Sequence, residues 1–176
     1  MKLELMTLSP ISDGPAILES QSQAMETISA LFSRPAGSQR RAYEHMEFHY
    51  VTPSDDVSGE QPYNSLESSL MLEVNHETGH GVATWWCGPY LADQLEAAGR
   101  GGVGFDVWVS LASEPLDIGY GFLLDSLHDE SSVADPRSVV PIEEIKLVAE
   151  EYCSSATGFR PESIGWGSGN FTGELL

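Results

Sequence analysis

The sequence predicts an α+β domain in which a mainly antiparallel sheet carries an N-terminal and a C-terminal helix on one face. Segments in which apolar and polar residues alternate follow one another through short links, as antiparallel strands do. Near both ends of the chain apolar residues recur at spacings of three and four, which is typical of helices that pack on a sheet. The 176 residues are expected to form one domain that spans residues 1–176.

The first half of the chain predicts one helix and three strands. Residues 16–33 have the helical pattern, and Arg34-Pro35 ends it. Strands are predicted where apolar and polar residues alternate, at residues 45–50, 70–75 and 81–87. Residues 52–65 are rich in acid and in turn-forming residues, and they are predicted to form an exposed loop.

The second half predicts a short helix at residues 91–98, closed by Gly99, and a strand at residues 105–111. Residues 114–136 are predicted to form a long acidic loop with a short strand at residues 120–124. A helix is expected to follow, with Pro141 at its first position and Gly158 closing it. The last predicted strand covers residues 163–166.

Residues 139–166 carry a series of motifs that resembles the C-terminal signature of immunity protein family one of bacterial polymorphic toxin systems. In that signature a helix leads into a Gly/Lys-x-Arg-Pro turn and a hydrophobic-x-Trp strand. Besides the apolar helix face, the matching positions are Gly158, Arg160, Pro161, Ile164 and Trp166. Looser similarity reaches the strands at residues 70–75 and 81–87 and the N-terminal helix. Because the matching residues lie where the last helix meets the last strand, we predict that they serve the fold and not the contact surface.

The resemblance implies a function as well as a fold. It implies a cytoplasmic antitoxin, with no reaction and no cofactor of its own, that binds a secreted toxin and blocks its active site. In several family members the toxin is a nucleic-acid deaminase that acts on cytosine. The family does not indicate which surface of the antitoxin makes the contact.

The charge of the chain is strongly negative, with 27 acidic residues against 8 basic ones and a formal net charge of −19. Residues 42–99 and 101–136 contain no Lys or Arg. Such a surface repels nucleic acid and anionic membranes, which are bound through basic groups. On the simplest interpretation, the excess of acidic residues keeps the protein soluble. A more specific interpretation is that these residues bind a basic protein partner.

The sequence predicts which side chains would meet such a partner. The two acidic loops provide the charged candidates Asp55, Asp56, Glu60, Asp125, Asp129 and Glu130. The aromatic candidates are Tyr63, Trp85 and Trp86. The two tryptophans are adjacent in a strand, so they point to opposite faces of the sheet, and one of them is expected to be exposed.

His76-Glu77-Thr78-Gly79-His80 matches the H-E-x-x-H pattern of zinc metalloproteases. That motif needs a helix, which places both histidines on one side of a zinc ion. Here alternating strands flank the segment and glycines weaken a helix, so the sequence predicts a β-hairpin turn and no metal. A zinc metalloenzyme built on His76, Glu77 and His80 remains one alternative. An acidic nucleic-acid mimic that inhibits a DNA-binding protein is the other.

The remaining motifs predict structure and no chemistry. His45 and His49 would lie about 13 Å apart on a strand, too far apart to share one metal ion. The glycine-rich residues 99–104 precede a strand and lack the lysine of a phosphate-binding loop. Cys87 and Cys153 have no paired spacing and are expected to be free buried thiols. No segment has the length of a signal peptide core or a membrane span, which favours a cytoplasmic protein.

Overall fold

A computed structural model describes residues 4–8, 16–33, 43–53, 63–100, 107–116, 123–124 and 132–176. Three helices lie in these ranges: α1 (Gln21–Phe32), α2 (Pro89–Ala97) and α3 (Ile142–Ser155). The strands in the first half of the chain are β1 (Glu4–Leu8), β2 (Ala16–Leu18), β3 (Tyr43–Pro53), β4 (Tyr63–Asn75) and β5 (His80–Cys87). The strands in the second half are β6 (Val107–Leu111), β7 (Leu123–Leu124), β8 (Ser132–Val133), β9 (Val140–Pro141) and β10 (Gly165–Gly169).

One antiparallel sheet organises the described chain in the order β10-β6-β5-β4-β3-β1-β2. The short strand β9 pairs with the first residues of β5. It lies on the same edge of β5 as β6, which pairs with later residues of that strand. Strands β7 and β8 pair only with each other. The centre of the sheet is the β3–β4–β5 meander, whose strands follow one another in the sequence.

The first face of the sheet carries the main core. In β3 the residues Met46, Phe48 and Tyr50 point to this face, and they pair in register with Leu72, Leu70 and Ser68 of β4. In β5 the same face carries Ala83, Trp85 and Cys87, all fully buried. The alternation seen in the sequence therefore reflects a sheet with one strongly apolar face.

All three helices pack on this first face. Their buried residues belong to one cluster with the strands: Ala24, Ile28 and Leu31 from α1, Leu91 and Leu95 from α2, and Ile145, Val148, Ala149, Tyr152 and Cys153 from α3. Helices α1 and α3 also contact each other. This arrangement confirms the predicted α+β fold with terminal helices on an antiparallel sheet. None of the helices in the described ranges is long and apolar enough to span a membrane.

The second face of the sheet carries a smaller core near β5 and β6. Val82 and Val109 are buried there against Ala134 and Val139, which come from the segment before α3. Leu175, close to the C-terminus, packs on the same cluster. The last residues of the chain thus fold back on the sheet.

The N-terminal helix differs from its prediction because its first residues belong to the sheet. Ala16–Leu18 is strand β2 and pairs with β1, so the helix does not begin at residue 16. Ser20 caps the helix, and its hydroxyl accepts a hydrogen bond from the backbone N–H of Gln23 at 3.2 Å. The sequence of β1 has no alternating pattern that predicts a strand. Because β1 pairs with residues 16–18, these residues are extended and do not form the first turn of the predicted helix.

The ends of the C-terminal helix also differ from prediction. Pro141 is the N-cap and pairs with His80 as part of β9, so the first helical residue is Ile142. The residue in the left-handed conformation at the end of the helix is Ala156, with φ of 53°. Gly158 follows the end of the helix and contacts the sheet instead of closing the helix.

Several strand and loop limits differ as well. The predicted loop at residues 52–65 is shorter, because Thr52 and Pro53 continue β3 and Tyr63, Asn64 and Ser65 begin β4. The last strand is shifted to Gly165–Gly169, and only the end of the predicted strand at residues 120–124 is described, as β7. The strand predicted at residues 105–111 is described from Val107 onward, and the helix predicted at residues 91–98 is Pro89–Ala97.

Candidate partner-binding surface

The adjacent tryptophans of β5 point to opposite faces, as predicted. Trp85 is 0% exposed in the main core, and its Nε1 donates a hydrogen bond to the carbonyl of Gly158 at 3.2 Å. Trp86 lies on the second face and is partly buried. Of the two candidates, Trp85 is the buried one, because strand alternation places its ring under the helices, and it offers a partner no accessible surface. Trp86 remains a candidate contact residue.

The other predicted contacts fall mostly outside the described residues. The acidic candidates Asp55, Asp56, Glu60, Asp125, Asp129 and Glu130 all do so. Tyr63 is the first residue of β4 and pairs with Pro53 of β3, but its side chain is outside the described part. The roles of these residues stay predictions.

The H-E-x-x-H segment forms the turn between β4 and β5. The side-chain oxygen of Asn75 accepts hydrogen bonds from the backbone N–H groups of Glu77, at 2.9 Å, and Thr78, at 3.1 Å. Gly79 has a φ of +71° and its N–H donates to the Asn75 carbonyl at 3.0 Å. The predicted hairpin is confirmed, and the helix that the zinc motif requires is absent from this segment.

The two histidines of this segment have separate partners. His76 Nε2 lies 3.5 Å from a carboxylate oxygen of Glu44 on β3, and His80 Nδ1 lies 2.7 Å from the carbonyl oxygen of Thr78. Within the described ranges, no group of three or more His, Cys, Asp or Glu side chains is arranged to hold a metal ion. Cys87 and Cys153 are both free and buried, as predicted.

Gly158 touches the sheet at a point where no larger residue fits. Its φ is +71°, and a Cβ built on it would lie 2.6 Å from Ser68 Oγ and 3.1 Å from the ring of Tyr50. The Ser68 hydroxyl is hydrogen-bonded to the Tyr152 hydroxyl at 2.7 Å, and the Tyr50 hydroxyl donates to the carbonyl of Tyr152 at 3.1 Å. The glycine of the signature thus closes a buried polar network between α3 and the sheet.

The other signature residues also contact the fold. The Arg160 guanidinium lies 4.0 Å from the centre of the Trp108 ring and 6.0 Å from that of Trp85, and burial lowers its pKa. Pro161 is buried, and its carbonyl accepts a hydrogen bond from Trp166 Nε1 at 2.8 Å. Ile164 and Trp166 pack against the main core. These contacts agree with the prediction that the signature serves the fold.

The basic residues of the described ranges are already engaged by neighbours. Arg100 is paired with Glu162, Arg137 with Asp135 at 2.5 Å, and Lys146 with Glu150 at 3.7 Å. Arg160 stacks on tryptophan rings. These four are the Lys and Arg residues of the described ranges, so other carboxylates there have only histidines as cationic neighbours.

Two histidines and two glutamates form a cluster on the second face of the sheet. One carboxylate oxygen of Glu47 lies 2.8 Å from His45 Nε2, and the other lies 2.8 Å from His49 Nε2. His45 Nδ1 lies 3.6 Å from the carboxylate of Glu73, which faces it on β4. The two histidines share one carboxylate instead of one metal ion.

The alternating pattern of β3 already contains part of the signal for this cluster, because it places His45, Glu47 and His49 on one face. The register that brings Glu73 opposite His45 is known only from the fold. Burial lowers the pKa of His45, but the hydrogen bond to Glu47 and the nearby carboxylate of Glu73 outweigh it and raise that pKa to about 9. Hydrogen bonds from His45 and His49 lower the pKa of Glu47 to about 2. Such a carboxylate is a poor general base at neutral pH.

Comparison of the chain with models of protein families, with curated proteins and with solved structures gives no match in any of the three. The resemblance of residues 139–166 to an immunity protein family therefore stays a prediction. It is taken up below as a proposal.

We expect Gly158→Ala to destabilise the protein more than Gly99→Ala. Both glycines have a φ just above +70°, so both substitutions introduce backbone strain of about 1–3 kcal/mol. Only at position 158 does the new Cβ also collide with Ser68 and Tyr50, because nothing lies within 4 Å at Gly99. Urea denaturation of the two variants measures the difference. Equal losses in the free energy of unfolding would show that the contact with the sheet is unimportant.

We expect the free energy of unfolding to fall in alkaline solution. The pKa of His45 is raised from 6.5 to about 9, so its stabilisation is complete below pH 6.5 and is lost as the pH rises through 9. The pKa of Glu47 is lowered from 4.5 to about 2, so its stabilisation is present above pH 4.5 and is lost as the pH falls through 2. His45→Gln should flatten the alkaline decrease in urea denaturation, whereas His80→Gln should preserve it. An unchanged profile in His45→Gln contradicts this assignment.

Proposed function

We propose that this chain is a cytoplasmic immunity protein that binds a basic, nucleic-acid-acting toxin and blocks its active site. The proposal rests on the resemblance of residues 139–166 to the immunity family and on the charge of the chain. The toxin is proposed to be a cytosine deaminase, because that is the toxin of several members of the family. The immunity protein itself would bind no cofactor and catalyse no reaction.

The observation that supports the proposal is an excess of negative charge that the Lys and Arg residues do not balance. The formal net charge is −19, and the basic residues of the described ranges are held by Glu162, Asp135, Glu150 and two tryptophan rings. An enzyme that acts on nucleic acid needs a basic cleft for the phosphates of its substrate. An acidic protein is complementary to that cleft and would compete with the substrate for it.

Charge alone does not provide the affinity that protection from a lethal enzyme requires. A nanomolar complex corresponds to about −12 kcal/mol and is commonly made over about 800 Å² per partner. Most of that free energy comes from a few buried anchors, among which Trp and Tyr are frequent. Trp86 suits this role because it is only partly buried and lies on the second face, away from the helices.

The same acidity supports a second candidate, a nucleic-acid mimic that blocks a DNA-binding protein unrelated to any toxin. The two candidates differ in the partner and in its gene. An antitoxin is expected to be encoded beside its toxin, whereas a general inhibitor has no such neighbour. Rescue of growth by co-expression with the product of the adjacent gene therefore separates them.

Neutralising the acidic residues between β3 and β4 should slow association with the toxin and flatten its salt dependence. The variant replaces three carboxylates with amides: Asp55→Asn, Asp56→Asn and Glu60→Gln. Exposed charges act over about 8–10 Å at physiological ionic strength, so they accelerate encounter more than they slow release. Surface-capture kinetics at several salt concentrations, with the protein encoded by the adjacent gene, provide the measurement.

A matched control removes the same number of charges from exposed helix positions: Glu26→Gln, Asp93→Asn and Glu143→Gln. If both variants change the association rate equally, only the total charge matters and the predicted loop is not part of the interface. A second set, at Asp125, Asp129 and Glu130, tests the other acidic segment in the same way. Wild-type protein that neither binds the neighbouring product nor protects the cell would refute the proposed function.

Trp86→Ala should accelerate dissociation of the complex by about 30-fold, which corresponds to about 2 kcal/mol for one buried anchor. Tyr90→Ala is the control, since Tyr90 is 45% exposed on α2, a helix that packs on the opposite face of the sheet. Urea denaturation should show that both variants remain folded. A Trp86→Ala variant that dissociates at the wild-type rate places the interface elsewhere.

A further inference from the structure

Strand β10 ends the sheet, and its two edges are paired to different extents. Its inner edge pairs with β6 along the whole strand, from Gly165↔Leu111 to Gly169↔Val107. Among the described residues, the last ones of the chain pair with its outer edge, near the end of the strand. There the N–H of Leu176 donates to the carbonyl of Ser168 at 2.9 Å, and Gly169 forms an antiparallel bridge with Leu175.

No strand of the described ranges pairs with the other half of the outer edge. In an antiparallel strand the backbone groups of alternate residues point to the same edge. Because the carbonyl of Ser168 points outward, the N–H and the carbonyl of Trp166 point outward too. No backbone hydrogen bond from the described ranges reaches these two groups, and the neighbouring Gly165 and Ser168 are exposed.

This edge lacks the features that usually keep other strands away. The sequence of β10, GWGSG, contains no charged residue and no proline. Exposed apolar side chains lie beside it: Leu111, 39% exposed, pairs with Gly165, and Leu176, 89% exposed, is bonded to Ser168. Phe171, in the turn that follows β10, is 55% exposed. An extended segment lying along this edge would gain both backbone hydrogen bonds and apolar contacts.

We propose that an extended segment of the basic partner protein adds to the sheet as a strand along the outer edge of β10, next to Trp166. This inference rests on the proposed function and names the surface and the mode of contact. A second copy of the chain is disfavoured as the occupant, because two molecules with a net charge of −19 repel each other. A basic partner is attracted instead, and the backbone of β10 fixes the orientation in which it binds.

Amide hydrogen exchange of the wild-type protein tests the proposal directly. In the free protein the N–H of Trp166 should exchange rapidly, while that of Gly167, which points to β6, is protected. Adding the toxin encoded by the adjacent gene should slow exchange at Trp166 by roughly two orders of magnitude, since the amide becomes part of a β ladder. Exchange at Gly167 should change much less. This measurement needs no substitution and so does not depend on a variant folding.

A pair of lysine substitutions tests the surface independently. Leu111→Lys places a charge on β6, opposite Gly165 of β10, and Leu147→Lys makes the same change on α3, where Leu147 is 53% exposed. Both variants lower the net negative charge equally. Leu111→Lys should weaken toxin binding by at least about tenfold more than Leu147→Lys, because a lysine on β6 lies about two strand spacings, or about 10 Å, from a strand added to β10 and repels a basic segment there.

Each outcome has a definite consequence. A Trp166 amide that is as protected as Gly167 in the free protein overturns the proposal, because the edge is then already occupied. If the wild-type protein neutralises the toxin but exchange at Trp166 is unchanged and the two lysine variants bind equally, the proposed function stands and the β10 contact is wrong. If the wild-type protein does not bind the product of the adjacent gene, both proposals fail.

Discussion

The contact between Gly158 and the centre of the sheet is the constraint on which the surrounding structure depends. It joins three strands and the end of α3 in one place: Trp85 donates to the glycine carbonyl, while Ser68 and Tyr50 lie against its α-carbon. The same Ser68 and Tyr50 are bonded to Tyr152 of α3. A buried polar group costs free energy unless it is hydrogen-bonded, so this network favours one position of the helix over others.

This contact also explains the composition of the turn after α3. Once Gly158 is fixed, Arg160 stacks on Trp108 of β6, and the carbonyl of Pro161 receives the indole of Trp166. The carboxylate of Glu151, on α3, accepts the backbone N–H groups of Glu162 and Ser163 at 2.8 and 2.9 Å. The turn therefore brings β10 to β6 in a fixed register, with β10 as the last strand of the described sheet. The motif that resembles a family signature acts first as a structural element.

The two faces of the sheet have different roles: the first face stabilises the fold, and the second is the face proposed to bind the partner. The first face buries Trp85 and the apolar sides of all three helices, so these side chains are not accessible to a partner. The second face carries the charged cluster around Glu47 and the partly accessible Trp86. The Lys and Arg residues of the described ranges are bound to neighbouring side chains. The excess of acidic residues would therefore attract a basic protein over a distance. Backbone pairing at β10 would then act at short range.

The sequence by itself determined the fold class, the central strands, the hairpin at residues 76–79 and the excess of acid, because alternation, helical spacing and charge are local properties of a chain. It also determined that Trp85 and Trp86 face opposite ways. Which of them is buried was decided only by the tertiary structure, since either face of a sheet can receive the helices. The position of β2, the left-handed Ala156, the contact made by Gly158 and the pairing of His45 with Glu73 likewise depend on residues distant in sequence. The open edge of β10 belongs to this second group, because an edge exists only once the order of the strands is fixed.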